Sequence, residues 1–224
     1  MVTNLAYFFE TSRKVRGGKH VWVKDSNGEQ RGNVLLGGTI LNPNKGFGKL
    51  FAAQLVQYTP GQGCYIFRSF KVKTATSAAT DTSIIINGDG YSDAPEVGMV
   101  IMKAPSAANG TGASGKVIAV VYDETNEKFT VTLDSAIGSL AVGDVLVEAQ
   151  GTEAAASANV LVPNPNTFVE ADRELMPTEG YGIQNANYSI STVYNKQAWI
   201  ARMQPLPSYV LAKNRSYIDG IFWI

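Results

Sequence analysis

The chain has 224 residues, 45% hydrophobic and 10% aromatic, which is enough to bury a sizeable core and too apolar for wholesale disorder. Its formal net charge is zero, with eight Lys/Arg against three Asp/Glu in residues 1–60, six against eleven in 61–155, and five of each in 156–224. One cysteine, Cys64, excludes an intrachain disulfide and fits folding in a reducing cytoplasm.

The chain reads as three parts: a basic N-terminal arm with short strands (1–60), a β-barrel or sandwich module (61–155), and a β-rich segment (156–224) that packs on the module or on a partner. The opening residues show no basic region followed by an apolar one. No run reaches the ~18 apolar residues of a membrane helix. In the arm, a short strand HVWVK precedes the turn signal DSNGEQ. LFAAQLVQYT and CYIFRSFKV, separated by TPGQG, predict a hairpin with strands near 50–58 and 64–73. SIIINGDGYS is a short apolar run stopped by Asn-Gly-Asp-Gly.

Two segments echo each other without a gap. EVGMVIMKA (96–104) and AVGDVLVEA (141–149) share Val97/Val142, Gly98/Gly143, Val100/Val145 and Ala104/Ala149. Each is Val-Gly-x-Val leading into an apolar strand, so the two strands are expected in similar places of one small barrel or sandwich. Between them, KVIAVVY is apolar on both faces and predicts a central strand. KFTVTLD alternates and predicts a half-buried antiparallel one. DETNEK is the polar turn joining them, where Asn126 suits a left-handed conformation. PSAANGTGASG (105–115) has no apolar anchor and is expected as an exposed, mobile loop. Beyond Pro163 and Pro165, strands are expected at Tyr188–Tyr194, at Gln197–Met203 and at the apolar end, Tyr217–Ile224.

Catalytic templates fail on residue supply. Ser-His-Asp and Cys-His schemes have only His20, in the basic arm, and Cys64 sits in an apolar strand. A zinc site lacks ligands. Gly46-Phe47-Gly48-Lys49 resembles the end of a phosphate loop, but Leu50 stands where Ser or Thr must hold magnesium. Asn87-Gly88-Asp89-Gly90 with Asp93 and Glu96 is the best oxygen-ligand cluster, and a Gly-rich turn accounts for it as well. Asp123/Glu124 and Glu170/Asp172/Glu174 read as solvated carboxylates, with a glycosidase-like pair as the alternative for the second set. Arg13, Lys14, Arg16, Lys19 and Lys24 with Trp22 could meet a nucleic acid, but the chain is neutral overall and carries no known binding motif. No catalytic residue, metal or cofactor is expected.

GKVIAVVYDETNEKFTVTLDSAIGSLAVGDVLVEA (115–149) resembles the small β-modules in head proteins of tailed bacteriophages, where a "tVtLd" strand and an "l-x-x-Gd-v-l" strand recur. The block from Val162 to Ile224 is similar to structural proteins of phages that infect gut Bacteroidetes, crAss-like phages among them. The resemblance implies an auxiliary, decoration or head-fibre component of a capsid: a mainly β fold, assembly in the host bacterial cytoplasm, residence in the virion, and the major capsid protein as partner. Family members often sit as trimers at symmetry points, so other copies of this chain are partners too. Membrane and nucleic acid are not expected partners. The residues assigned to capsid docking are Arg13, Lys14, Arg16, Lys19 and Trp22 in the arm, with Phe222 and Trp223 at the end. The alternative is a fibre or adhesin base that binds a receptor or glycan.

Overall fold

The structure, a computed structural model, describes residues 30–34, 41–42, 48–50, 53–59, 63–89, 94–169, 173–175, 190–194, 197–198, 203–212 and 222–223. It is mainly β, as the alternating and all-apolar runs require. The described strands are β1 (Gln30–Val34), β2 (Gly48–Leu50), β3 (Leu55–Thr59), β4 (Gly63–Ile66), β5 (Ser69–Thr74), β6 (Ser83–Asn87), β7 (Val100–Lys103), β8 (Thr111–Asp123), β9 (Lys128–Leu133), β10 (Val145–Glu148), β11 (Ala155–Asn159), β12 (Thr167–Val169), β13 (Arg173–Leu175), β14 (Ile190–Tyr194), β15 (Gln197–Ala198) and β16 (Phe222–Trp223); a single turn of helix, α1, spans Ser208–Leu211. The chain divides into two compact units, one of residues 1–67, 164–203 and 213–224, the other of 68–163 and 204–212.

In the first unit, five strands pair antiparallel in the order β1-β14-β12-β3-β4. β3 and β4 pair antiparallel as the expected hairpin, but its first strand runs Leu55–Thr59 rather than 50–58. The run read as one strand from 64 to 73 is interrupted: β4 stops at Ile66 and β5 starts at Ser69 in the second unit. The break falls at Phe67–Arg68, beside the polar Arg68-Ser69 pair inside an otherwise largely apolar run. β4 is the edge strand of its sheet, and Asn42 lies along it. The Asn42 amide donates to the Ile66 carbonyl and accepts from the Ile66 N–H, both at 2.7 Å. It thereby pairs with the strand end as a peptide group of a neighbouring strand would. β1 starts at Gln30, a residue assigned by sequence to the turn DSNGEQ, and pairs with β14.

The second unit is a ring. Its strands run β8-β7-β10-β5-β6-β9, and β9 pairs back onto β8, while β11 attaches outside the ring to the first residues of β8. β8 closes the ring because it is long: Ser114–Lys116 pair with β7, and Val117–Asp123 pair with β9. Phe70, Val72, Ile84, Ile86, Phe129, Val131, Leu133 and Leu146 are buried. The alternation of β9 puts Phe129, Val131 and Leu133 on the buried side as expected.

The Val-Gly-x-Val echo is the visible part of a duplication that includes the whole ring. β5, β6 and β7 correspond to β8, β9 and β10. Backbone hydrogen bonds recur at corresponding residues. Gly98 N–H donates to Val117 and Val117 N–H to Met99; Gly143 N–H donates to Val72 and Val72 N–H to Asp144. Ala104 N–H donates to Val145, and Ala149 N–H to Val100. β5 and β8 both shift register just after the matching valine, between Val72 and Thr74 and between Val117 and Ala119. The two halves are therefore related by an internal two-fold axis. It crosses the ring at the Met102–Val147 pair and again at the Ile84–Val131 pair. Matching residues include Ser69/Ser114, Lys71/Lys116 and Val72/Val117 besides those of the echo. The halves interleave: of the six pairings around the ring, only β5–β6 and β8–β9 stay within one half.

Both echo segments begin with the same turn. Met99 N–H reaches Glu96 and Asp144 N–H reaches Ala141, with Gly98 at φ 92° and Gly143 at φ 90° in the third position. This is a type II turn, which needs a positive φ there and so selects glycine. Its second position is exposed, and holds Val97 in one half and Val142 in the other.

Two expectations are corrected in this unit. Only the first part of 105–115 is a loop: Thr111 onward belongs to β8, and Ser114 and Gly115 are buried between neighbours. Gly115 is there because any side chain would strike the Ser135 carbonyl oxygen. In the β8–β9 turn the left-handed residue is Glu127 (φ 45°), not Asn126. Asp123 takes both the Asn126 backbone N–H and its side-chain amide, holding Asn126 in the turn and passing the reversal to the next residue.

An ion pair is buried in the same unit. Arg68 Nη1 lies 3.0 Å from Glu148 Oε2, with side chains 4% and 13% exposed. Glu148→Ala is expected to cost about 3–5 kcal/mol in urea unfolding, because it strips the carboxylate from a buried guanidinium. Gly98→Ala and Gly143→Ala should each cost about 1–2 kcal/mol, since each forces a Cβ into a positive-φ turn. Similar losses at the two sites are the signature of the duplication.

Candidate docking surface

The outward side chains of the ring follow from pairing, because partners across an antiparallel pair share a face. Val72, Ile84, Ile86, Phe129 and Val131 are buried, so the alternate positions point out. One outward row is Thr74–Ile85–Thr130–Val121, and the next is Ser83–Thr132–Ala119, across β5, β6, β9 and β8. None of these seven residues is charged. Val121 is 64% exposed and Ile118, in the bulge of β8, 51%. KVIAVVY is therefore not the doubly buried strand its composition predicts, because among the described residues of its unit none covers Ile118 and Val121 on the outside of the ring.

The opposite outer face, where the two-fold axis crosses at Met102 and Val147, is covered. Met102, Val147, Ser69 and Ser114 are all buried. The Ser69 hydroxyl donates to the Pro205 carbonyl just before α1, and the Ser114 hydroxyl meets the backbone of Ala155 in β11.

Beside the bare rows lies a cleft of about 510 Å³, lined by Thr74, Thr76, Ser77, Thr80, Asp81 and Ser83 among others. It marks a place where the two halves differ. β8 and β9 stay zipped from Ala119–Thr132 to Asp123–Lys128, whereas β5 and β6 part after Thr74–Ile85. Thr76 turns away to exchange hydrogen bonds with Leu140. Asp81 folds the intervening loop by accepting from Ser77 N–H, the Ser77 hydroxyl and Ala78 N–H.

The expected docking residues are distributed differently. Arg13, Lys14, Arg16, Lys19 and Trp22, with His20 and Lys24, lie outside the described residues, as do Glu170 and Asp172. Phe222 and Trp223 form β16, which pairs in parallel with Gln197 and Ala198 of β15, so the apolar end is held by backbone pairing. Among the described residues, no three His, Cys, Asp or Glu side chains come together as metal ligands. No described helix is long and apolar enough to cross a membrane. The bare face escaped the sequence reading because its signal is spread over four strands. The outward threonines of KFTVTLD were the legible part.

No family model, no curated protein and no solved structure matches the chain.

Ionisation adds two tests. Burial pushes the Cys64 thiol up to about 12, so it stays protonated and inert at neutral pH. A thiol reagent should label it only at the rate of unfolding, and at once in denaturant. The carboxyls of Asp81, Asp123 and Asp144 are held below their ordinary value. For Asp81 the causes are the Ala78 N–H and then the Ser77 hydroxyl. For Asp123 they are the Asn126 side chain and then its N–H. For Asp144, partial desolvation opposes the shift but is outweighed by Lys103, at 2.7 Å, and the Ala141 N–H. Each group lies lower folded than unfolded, so its contribution is present at neutral pH and is lost as pH falls below about 4. Thermal melts should drop through that window, and drop less in the Asp81→Asn, Asp123→Asn and Asp144→Asn triple variant.

Proposed function

We propose that this chain is a structural virion protein, an auxiliary or cement component of a tailed-phage capsid that binds the major capsid protein and stabilises the shell. The observation that carries the reading is ring closure. Each of the six ring strands is paired on both sides, so the module has no loose ring edge to peel under load. The resemblance of residues 115–149 to phage head modules points the same way. The two uncharged rows beside the cleft offer a neighbour threonine, isoleucine and valine side chains, flanked by the Asn87–Lys128–Asp123 row. The arm residues Arg13, Lys14, Arg16, Lys19 and Trp22 and the terminal Phe222 and Trp223 remain the proposed contacts to the shell.

The test is quantitative mass spectrometry of purified particles, with and without tails. A copy number on the scale of the major capsid protein, unchanged by loss of the tail, is expected. Absence from the particle overturns the reading. Deleting Phe222–Ile224 should remove the protein from particles while leaving its circular dichroism largely intact.

A second reading has its own observation. The cleft is lined with hydroxyl groups and one carboxylate, the groups that hydrogen-bond sugar hydroxyls, which suits a head-fibre or adhesin base that binds a glycan. Glycan-array binding lost in a Thr76→Val, Asp81→Asn variant would favour it over the cement role.

A further inference from the structure

We propose that the cleft beside β5 and β6 binds a saccharide carrying a protonated amine and rejects acidic saccharides. The inference rests on the glycan reading of this cleft and names the class of ligand it takes.

The first support is that the cleft is built before any ligand arrives. Its walls are residues 74–77 and 80–83 with Ile85, around a volume of about 510 Å³, which is within the range of small-molecule sites. Both walls are tied to the rest of the ring. Thr76 N–H donates to the Leu140 carbonyl at 3.0 Å, and Leu140 N–H donates back to the Thr76 hydroxyl at 2.9 Å. Leu133 N–H donates to the Thr82 carbonyl at 2.8 Å. Between the walls, Asp81 Oδ2 gathers the Ser77 N–H, the Ser77 hydroxyl and the Ala78 N–H. A ligand therefore meets a loop that is already ordered, and spends little of its binding energy on ordering it.

The second support is the chemistry of the lining. Thr74, Thr80 and Ser83 are exposed and Thr82 is half-buried, so their hydroxyls offer donors and acceptors to a polyol. Ile85 adds an apolar contact for the C–H face of a sugar ring. Asp81 supplies the charge, and its second oxygen, Oδ1, accepts from none of the loop donors that hold Oδ2. Its carboxyl is held below the ordinary value, first by the Ala78 N–H and then by the Ser77 hydroxyl, so it is ionised at neutral pH. Among the described residues, no Lys, Arg or His lines the cleft. Lys73, the neighbouring cation in sequence, is held at the β8–β9 turn, where its Nζ donates to the Asn126 and Glu127 carbonyls. An acidic saccharide would face Asp81 without a counter-charge. A neutral hydroxyl would donate to Oδ1, and an ammonium would do so with charge assistance, roughly twice as strongly. The acidic balance of residues 61–155, six Lys/Arg against eleven Asp/Glu, biases approach the same way.

The experiment measures binding of the full chain to matched oligosaccharides at about pH 6, where amines are protonated and carboxylates ionised. The probes are a glucosamine oligomer, its N-acetylated form and a glucuronate-containing oligomer of the same length. The amine form should bind about tenfold more tightly than the N-acetyl form, and the acidic form should not bind. Asp81→Asn keeps an oxygen for Ser77 and Ala78 and so keeps the loop; it should level the amine and N-acetyl forms. Ser83→Lys adds a cation to the cleft without touching that loop, and should reverse the order of amine and acidic forms. Acidic binding equal to amine binding, or a preference that both variants leave unchanged, overturns the charge rule and leaves the glycan reading standing. No binding to any saccharide on an array spanning amine-bearing, neutral and acidic glycans overturns both.

Discussion

The length of β8 is the constraint on which the second unit depends. A shorter strand could satisfy one neighbour; thirteen residues satisfy β7 with one stretch and β9 with the next. The bulge at Ile118 lies where one set of partners gives way to the other, and the extra twist of a bulge helps bend a sheet into a closed form. Once β8 closes the ring, the rest follows. The inner positions of every ring strand meet in one core, and the added β11 lies outside the closed ring.

The two-fold relation explains why such different sequences support each other. Phe70 and Gly115 occupy corresponding positions. Phe70 fills the interior from one half, while Gly115 lets the other half pass against the Ser135 carbonyl and the Leu133 side chain. Core volume is conserved across the ring rather than at each position, as close packing requires. The halves have diverged most at their hairpins: one stays zipped and ends in an Asp123-capped turn, and the other opens into the hydroxyl-lined cleft. In the reading proposed here the common frame supplies mechanical closure, and the divergent hairpins and outer face supply recognition.

Much of the fold was legible before the structure. Alternation in KFTVTLD gave the correct inward residues, DETNEK gave the β8–β9 turn, and the Val-Gly-x-Val echo exposed four residues of the repeat. The failures have a common physical origin, because they concern what a strand meets in space. KVIAVVY has the composition of a central strand, but its outer face is uncovered within its unit. Thr111–Gly115 has the composition of a loop, yet glycine and serine suit a strand squeezed between neighbours. CYIFRSFKV was read as one strand, and the polar Arg68-Ser69 pair at its middle is where the chain changes sheet. The docking surface was the least legible of all. Charge drew attention to the arm, while the outer rows of the ring are assembled from residues that are ordinary one at a time.

The interleaving of the halves has a consequence for how this protein comes into being. Neither half contains the neighbours of its last strand: β7 lies between two strands of the other half, and β10 does likewise. On the ribosome, the first half emerges able to form only the β5–β6 hairpin, and β7 waits exposed until β8 and then β10 leave the exit tunnel. Closure is then a late, non-local event, the kind that folds slowly and offers unpaired strands to neighbours meanwhile. Two nascent chains held side by side on one message could satisfy each other's waiting β7, so the same symmetry that stabilises the finished ring also defines its most accessible misassembled form.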